Sequence, residues 1–239
     1  MILYALDSLD TASNLAVEEC LFRRRPPQAT FLLYRNSPSV LCGRNQLLTA
    51  ECDVAYCRSQ GIGLFRRISG GGTVYHDVGN LNFGFLVPRK DYAPDKYLAV
   101  LPAALARLGV DGFAYDKRYS LKRDGFKLAG SAFALSGGTA LLHVCTLVST
   151  DLLRLVRVLT PNGSQVQGGL VASVPSPVTS LFRLNSSLTV QSLADSLFAE
   201  VDSRFGIDGE GVLPTPEEIR PYREKYLSEA WTFREDRNS

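Results

Sequence analysis

The sequence has few of the residues that build zinc centres and disulfide frameworks. It contains five cysteines and two histidines in 239 residues, and no two cysteines have the spacing of a CxxC pair. An odd number of thiols without that spacing argues against a structural zinc site and predicts reduced cysteines packed in a core. The sequence therefore assigns no metal ligands.

The chain also lacks a strong charge of one sign and a long apolar run. Its 26 basic and 24 acidic residues leave a net charge of +2, so no overall field attracts nucleic acid. No run approaches the ~20 apolar residues of a membrane helix, and residues 1–6 lack the charged start of a signal peptide. Ordinary globular composition, 45% hydrophobic and 21% charged, predicts a soluble cytoplasmic protein that binds neither nucleic acid nor membrane.

Both common phosphate-loop patterns, GxGxxG and GxxxxGK[ST], are absent from the glycine-rich stretch at residues 66–80, RRISGGGTVYHDVGN. Three consecutive glycines still let backbone N–H groups approach a ligand closely. Arg66 and Arg67 precede them, with Ser69 beside them, and arginines suit a carboxylate or phosphate. A glycine hairpin on a solvated edge is the alternative. The paired arginines and the nearby His76 favour a ligand-binding loop.

A second informative stretch is KRDGFKLAGSA, residues 122–132. Asp124-Gly125 between extended runs predicts a tight β-hairpin with Lys127 at the start of the return strand. Strand alternation places Lys127 on one face with Ala129 and Ser131, where small neighbours leave room for a ligand. The alternative is a solvated lysine on an edge strand.

These stretches resemble the motifs of the lipoate-protein ligase and lipoyltransferase family, which shares its catalytic fold with biotin protein ligases. The resemblance rests on the pattern RRxSGGGxVxHDxGNxN at residues 66–82, KxxGSA at 127–132 and HxxTL at 143–147. Residues 14–19, 35–40 and 43–46 follow the family pattern in the same order.

The expected fold is α/β of the α+β type, with a mixed, mostly antiparallel sheet flanked by helices. The resemblance implies this fold, and hairpin signals at Ser69–Thr73, Asp124-Gly125 and Gly137-Gly138 favour antiparallel pairing. Residues 1–239 are expected to form one catalytic domain, with residues 206–239 as a helical appendage.

The resemblance implies attachment of lipoate, through lipoyl-AMP, to a lysine of a carrier domain of a 2-oxoacid dehydrogenase E2 or glycine-cleavage H-like protein. It implies ATP and Mg²⁺, or preformed lipoyl-AMP, and a mitochondrial matrix location in a eukaryote. Lys127 is the expected catalytic residue. The expected binding residues are Arg35, Arg44, Arg67, Ser69, Gly70, Gly71, Gly72, Thr73, His76, Asn80, Gly130, Ser131, Ala132, His143 and Thr146. Val40, Leu41, Val74 and Phe83 are candidates for an apolar acyl slot.

Two departures from the family pattern bear on the activation of lipoate. Ser120 stands where many members have an aspartate that helps to hold magnesium, although Asp77 or Asp116 could replace it. The sequence also ends soon after Trp231, where longer ligases continue into an accessory domain. Both departures favour an enzyme that only transfers the lipoyl group, or one that needs a separate accessory subunit.

Three other interpretations remain open. Octanoyl and lipoyl amidotransferases of this fold use a cysteine thiolate, but Asn162 occupies one matching place and residues 114–120 contain no cysteine at the other. Cys145 is better explained by core packing. A biotin protein ligase has different residues around its glycine loop, and a non-catalytic lipoate-binding relative would not need Lys127.

Overall fold

The computed structural model describes residues 1–159 and 171–234. The strands in these residues are β1 (Ile2–Leu6), β2 (Thr30–Tyr34), β3 (Ser39–Cys42), β4 (Gly63–Arg66), β5 (Val74–His76), β6 (Asn80–Pro88), β7 (Ala114–Tyr115), β8 (Ser120–Arg123), β9 (Phe126–Leu135), β10 (Thr139–Leu147) and β11 (Gly209–Glu210). The helices are α1 (Thr11–Arg24), α2 (Leu48–Glu51), α3 (Val54–Ser59), α4 (Pro94–Leu98), α5 (Val100–Arg107), α6 (Leu152–Val158), α7 (Leu181–Leu184), α8 (Val190–Phe205), α9 (Pro216–Leu227) and α10 (Glu229–Thr232), with a 3₁₀ turn at Arg89–Asp91.

The strands form a large and a small sheet. The large sheet has the order β11-β1-β2-β6-β10-β9-β8-β7, and the small sheet has the order β4-β3-β5. In the large sheet β1 is parallel to both β11 and β2, and the other neighbouring pairs are antiparallel. The predicted mixed, mostly antiparallel sheet flanked by helices is confirmed.

Alternation along the central strands separates a core face from a site face. On β6, Leu81, Phe83 and Phe85 enter a core that also contains α5 and α8. Asn80, Asn82, Gly84 and Leu86 take the opposite face by the two-residue period of a strand. On that side lie α1 and the small sheet, which contributes Leu41 to the core there. The space between the two sheets therefore receives the polar residues of β6.

The two hairpin signals beside the predicted site have different outcomes. Asp124 and Gly125 have φ angles of 53° and 81°, and they join β8 to β9 as predicted. Ser69–Thr73 does not close a hairpin, because β4 and β5 pair with opposite edges of β3 rather than with each other. The glycines therefore cross the end of the small sheet instead of turning at its edge.

The C-terminal residues pack on the first helix. Helix α9 lies against α1, where the buried Glu19 accepts a 2.7 Å hydrogen bond from the hydroxyl of Tyr226 and also pairs with Lys225. The predicted appendage is helical in α9 and α10, but its residues Gly209 and Glu210 extend the large sheet as β11.

Within residues 1–159 and 171–234, no helix combines the length and the apolar character needed to cross a membrane.

Candidate functional site

A cavity of about 820 Å³, the large chamber, lies between the two sheets. Its floor is a row of residues on adjacent strands of the large sheet. In this row Tyr34 lies beside Asn82, Asn82 beside Cys145, and Cys145 beside Gly130. The opposite wall is formed by the small sheet and by the glycine loop, residues 69–73, through Leu41, Gly71, Gly72, Thr73 and Val74.

A second cavity of about 410 Å³, the small chamber, adjoins the first. Its apolar wall includes Ala50, Tyr75, Leu128, Leu147, Leu155, Val156 and Leu159. Both chambers are also lined by Thr73, Val74, Lys127, Gly130 and Cys145. Lys127 therefore lies at the junction of the two chambers, of which the small one has the more apolar wall.

Arg66 supports residues 43–46 and the C-terminal helix instead of facing a ligand. Its side chain is 1% exposed, and its guanidinium donates to the backbone carbonyls of Gly43, Arg44, Gln46, Trp231 and Thr232 at 2.7–3.2 Å. The indole N–H of Trp231 donates to the carbonyl of Arg66 in return, at 2.7 Å. Arg66 thus joins residues 43–46 to the C-terminal helix α10.

Arg67 holds the glycine loop in shape from inside the chamber wall. Its Nη2 donates to the carbonyls of Gly70 and Gly72 at 2.6 and 2.7 Å, its Nη1 to the carbonyl of Leu41 at 2.7 Å, and its Nε to Ser69 Oγ at 2.9 Å. These bonds use four of the five N–H groups of an arginine. Burial lowers the pKa of Arg67, but the group stays charged. It can offer one N–H to a ligand, together with its field.

A chain of buried hydrogen bonds connects this arginine to helix α1. Ser69 Oγ accepts from Arg67, so its hydroxyl donates to His143 Nε2 at 2.8 Å. The imidazole then carries its proton on Nδ1, which donates to the carboxylate of Glu18 at 3.0 Å. Tyr34 donates to the same carboxylate at 3.2 Å. These hydrogen bonds set the tautomer of His143, whose ring lines the large chamber.

A β-bulge directs Lys127 toward the chambers. Leu121 lies opposite Ala129, but Lys122 lies opposite Lys127, so β9 has one more residue than β8 at this point. Leu128 and Ala129 are consecutive, yet both are buried in the core beneath the sheet. The alternation of side chains is therefore interrupted between Lys127 and Ala129.

The bulge corrects the predicted face of Lys127. Lys127 does not share a face with Ala129 and Ser131; it lies over Gly130, because a Cβ added to Gly130 would be 2.9 Å from Lys127 Nζ. The missing side chain of Gly130 thus provides the room for the ammonium group. Burial lowers the pKa of Lys127, and Asp116 partly opposes that shift.

Residues 171–178 border both chambers and are attached to the glycine loop. Ser173 Oγ accepts from the backbone N–H of Thr73 at 2.9 Å and from Gln46 Nε2 at 3.0 Å, while its own N–H donates to Glu51 at 3.0 Å. Lys127 exchanges backbone hydrogen bonds with Pro177 and Thr179. The segment thereby fixes the backbone of Lys127 against the loop.

The acidic residues offer a poor magnesium site. Ser120 lines the large chamber, where Asp116 is the nearest carboxylate in sequence. Asp116 accepts from the N–H groups of Arg118 and Ser120 at 2.9 Å and pairs with Lys122 at 2.9 Å. Asp77 accepts from the N–H groups of Gly79 and Asp151. No cluster of three possible metal ligands occurs in the described part of the chain.

Several predicted binding residues lie away from the chamber walls. The side chains of Arg35 and Arg44 are exposed, because each follows the end of a strand on the outer surface. Asn80 holds a turn by accepting from the N–H of Asp77 at 2.8 Å, and Ser69 is buried behind the loop. Thr146 takes the face opposite Cys145, because neighbours on a strand alternate.

Two of the four residues predicted for the acyl slot line a chamber, and one of the five cysteines predicted for the core does not lie there. Leu41 and Val74 line the large chamber, whereas Val40 and Phe83 are buried in separate cores. All five cysteines are free, and four are buried, but Cys145 lies in the chamber floor. Asn162 is outside the described residues.

The remaining predicted residues lie together, and their roles stay predictions. They are Arg67, Gly71, Gly72, Thr73, His76, Lys127, Gly130, Ser131, Ala132 and His143, which all line the large chamber. Gly70 lies next to them and donates its N–H to Phe133 at 3.1 Å. Sequence reasoning gave no role to Glu18 or Asn82, although both lie in stretches that match the family pattern, and it missed Ser173. Two adjacent glutamates within an otherwise apolar stretch of α1 are a signal that could have identified Glu18.

A family comparison identifies this arrangement. Residues 10–202 match the model of the lipoyl protein ligase A/B catalytic domain. The chain belongs to this family.

Two curated members of the family are similar in sequence. The chain is 34% identical over 195 residues to lipoate-protein ligase A of Bdellovibrio bacteriovorus, with 80% of this chain and 58% of the relative covered. It is 35% identical over 223 residues to human mitochondrial lipoyl amidotransferase LIPT1, with 90% and 59% covered. The chain thus spans about three fifths of the length of these relatives.

Two solved structures of the family are similar in fold. A lipoate protein ligase homologue of Thermoplasma acidophilum with bound lipoic acid has a TM-score of 0.82 and 25% identity, over 97% of this chain and 98% of that one. A bipartite lipoate protein ligase from the same organism, described with its E2 lipoyl domain, has a TM-score of 0.81 and 25% identity, over 97% and 95%.

Replacing Gly130 with alanine tests whether the position of Lys127 matters. The new Cβ would lie 2.9 Å from Lys127 Nζ and 3.0 Å from its Cε, so the flexible ammonium end must move away. We expect Gly130→Ala to lose at least about tenfold in the acyl-transfer activity proposed below, which corresponds to ~1.4 kcal/mol of transition-state stabilisation, with little change in melting temperature.

Gly137→Ala is the matched control, because its Cβ would meet no heavy atom within 4 Å. Carrier acylation is measured for both variants. Full activity in Gly130→Ala would show that Lys127 need not occupy this position.

Proposed function

We propose that this chain transfers a lipoyl group from lipoyl-AMP to a lysine of a lipoyl-carrier domain. The observation that carries the proposal is the position of Lys127 at the junction of the two chambers. An acyl-adenylate has two arms of different chemistry that meet at a mixed anhydride. A half-buried ammonium at the meeting point can contact both the acyl carbonyl and the phosphate.

In this mechanism Lys127 is an electrostatic catalyst and the carrier lysine is the nucleophile. The carrier amine forms a bond to the acyl carbon and releases one proton to solvent, and the bond from that carbon to the bridging oxygen of AMP breaks. Negative charge develops on the carbonyl oxygen and then on the released phosphate. A preorganised cation in a desolvated site stabilises such charge far more than water does. The lowered pKa of Lys127 reflects the same desolvation.

The walls of the chambers support an assignment of the two arms. The small chamber has an apolar wall and borders Val74 and Tyr75 on β5. Strand β5 is an edge strand of the small sheet: it pairs with β3 on one side, and the backbone N–H and C=O groups of its other side take no part in that sheet. Apolar walls beside such backbone groups suit the adenine base. The floor of the large chamber leads away from Lys127 across Gly130, Cys145 and Asn82, and provides a path for the acyl chain.

The acidic residues support a division in which another protein activates lipoate and this chain transfers the lipoyl group. Magnesium bound to a triphosphate keeps several waters and takes one or two carboxylates. The Asp116 carboxylate is already bound to Lys122 at 2.9 Å, and Ser120 adds no charge. We therefore propose that the isolated chain activates lipoate slowly and depends on an accessory protein for lipoyl-AMP.

The similarity to human lipoyl amidotransferase favours one other candidate function, in which the lipoyl group comes from an existing lipoyl-lysine amide. The same ammonium could stabilise the tetrahedral intermediate of that exchange. A thioester on Cys145 fits poorly, because burial raises the pKa of this thiol to about 12 and only the thiolate is nucleophilic.

Replacing Lys127 with alanine tests the proposed electrostatic role. We expect Lys127→Ala to lose about a hundredfold or more in transfer from lipoyl-AMP, as the loss of one oxyanion donor does. Its backbone bonds to Pro177 and Thr179 should survive, so the melting temperature should stay near that of the parent. The exposed Lys90→Ala is the control. Normal carrier modification by a stable Lys127→Ala variant would exclude the role.

Intact-mass analysis of a carrier domain distinguishes the candidate functions. The chain is supplied in parallel with synthetic lipoyl-AMP, with lipoate plus ATP and magnesium, and with a lipoylated donor carrier. We expect fast modification from lipoyl-AMP and slow modification from lipoate plus ATP. Equal rates from these two sources would identify a complete ligase, and modification from the donor carrier alone would identify an amidotransferase.

A further inference from the structure

Two buried polar side chains in the large chamber have hydrogen-bonding atoms without a partner. Asn82 is 1% exposed, and neither its Oδ1 nor its Nδ2 is hydrogen-bonded. His76 is 3% exposed, and its Nε2 is also unpaired. Both line the chamber. Buried polar groups are nearly always paired, so these atoms indicate a site for an additional ligand atom.

The hydrogen bonds around His76 show that its unpaired atom is a donor. Asn36 accepts from Asn14 through its Oδ1, so its Nδ2 donates to His76 Nδ1 at 3.0 Å. The proton of the neutral ring is therefore on Nε2. Burial, with smaller contributions from Arg67 and His143, lowers the pKa of His76 to about 3, so the ring is neutral in the physiological range. His76 Nε2 offers one N–H to the chamber, and the Asn82 amide offers two more.

The distance between Asn82 and Gly130, over which Lys127 lies, indicates which part of a substrate Asn82 meets. Asn82 and Gly130 lie in one row of the floor, separated by the strand that carries Cys145, which places them about 10 Å apart at ~4.8 Å per strand. An extended eight-carbon acyl chain spans roughly 8 Å, at the ~3.5 Å that an extended backbone advances per three bonds. With its carbonyl at Lys127, such a chain ends near Asn82.

We propose that Asn82, with His76 Nε2, forms a polar subsite for the distal end of the acyl chain and selects a sulfur-containing ring over a plain alkyl end. This inference rests on the proposed function of acyl transfer. Sulfur is a weak hydrogen-bond acceptor that can take N–H groups from Asn82 and His76. A terminal methyl group accepts none and leaves the buried donors unpaired.

The test is a competition between two donors. The chain is supplied with equal lipoyl-AMP and octanoyl-AMP, and the two products on a carrier domain are counted by intact mass. The parent should favour the lipoyl group, while Asn82→Leu and Asn82→Ala should lower the lipoyl-to-octanoyl ratio by roughly tenfold, the order of one unpaired buried donor. Leucine keeps the side-chain volume and alanine reduces it, so a common shift reports polarity rather than size.

Thr150→Val is the matched control, because Thr150 is also buried with an unpaired hydroxyl but lies outside both chambers. Its ratio should equal that of the parent. A parent without a lipoyl preference, or Asn82 variants that keep the parent ratio, would overturn the subsite. The parent ratio is measured without any variant. A parent that uses octanoyl-AMP as readily as lipoyl-AMP therefore overturns the subsite even if the Asn82 variants do not fold. Failure of the parent to use either adenylate would instead refute the proposed function.

Discussion

The site depends on two adjacent buried guanidinium groups that pair with backbone carbonyls. Arg66 binds the carbonyls of Gly43, Arg44 and Gln46 and those of helix α10, and Arg67 binds those of Leu41, Gly70 and Gly72. The three glycines of this loop have no side chains to hold it, and each of its buried carbonyls must find a donor. Arg67 supplies these donors for Gly70 and Gly72, so the loop is held by the protein's own groups.

The opposite wall of the site depends on a local irregularity of the large sheet. The bulge in β9 turns Lys127 away from the core, and Gly130 leaves the space that its ammonium group occupies. Ser173 and the backbone of residues 177–179 connect this strand to the glycine loop. The cation and the loop are thereby held on facing walls, an arrangement that suits the proposed transfer from an acyl-adenylate.

The sequence predicts the sheet, the Asp124-Gly125 hairpin and the grouping of Arg67, Lys127 and His143, because turn chemistry and motif spacing are local properties. It does not reveal the bulge, since two-residue alternation cannot show where a register shifts. It gives Arg66 a ligand-binding role, although its donors are used by carbonyls distant in sequence. Glu18 and Asn82 lie in stretches that match the family pattern but received no role, and Ser173 was missed, because long-range pairing alone shows what these residues do.

A crystal structure with a non-hydrolysable lipoyl-adenylate analogue tests the central claim most directly. Catalysis at the junction of the chambers requires Lys127 Nζ to lie within about 3.2 Å of the acyl carbonyl oxygen or a phosphate oxygen, with the glycine loop little changed. An analogue bound with its anhydride linkage away from Lys127, or a loop that forms only when the analogue is present, would contradict the account.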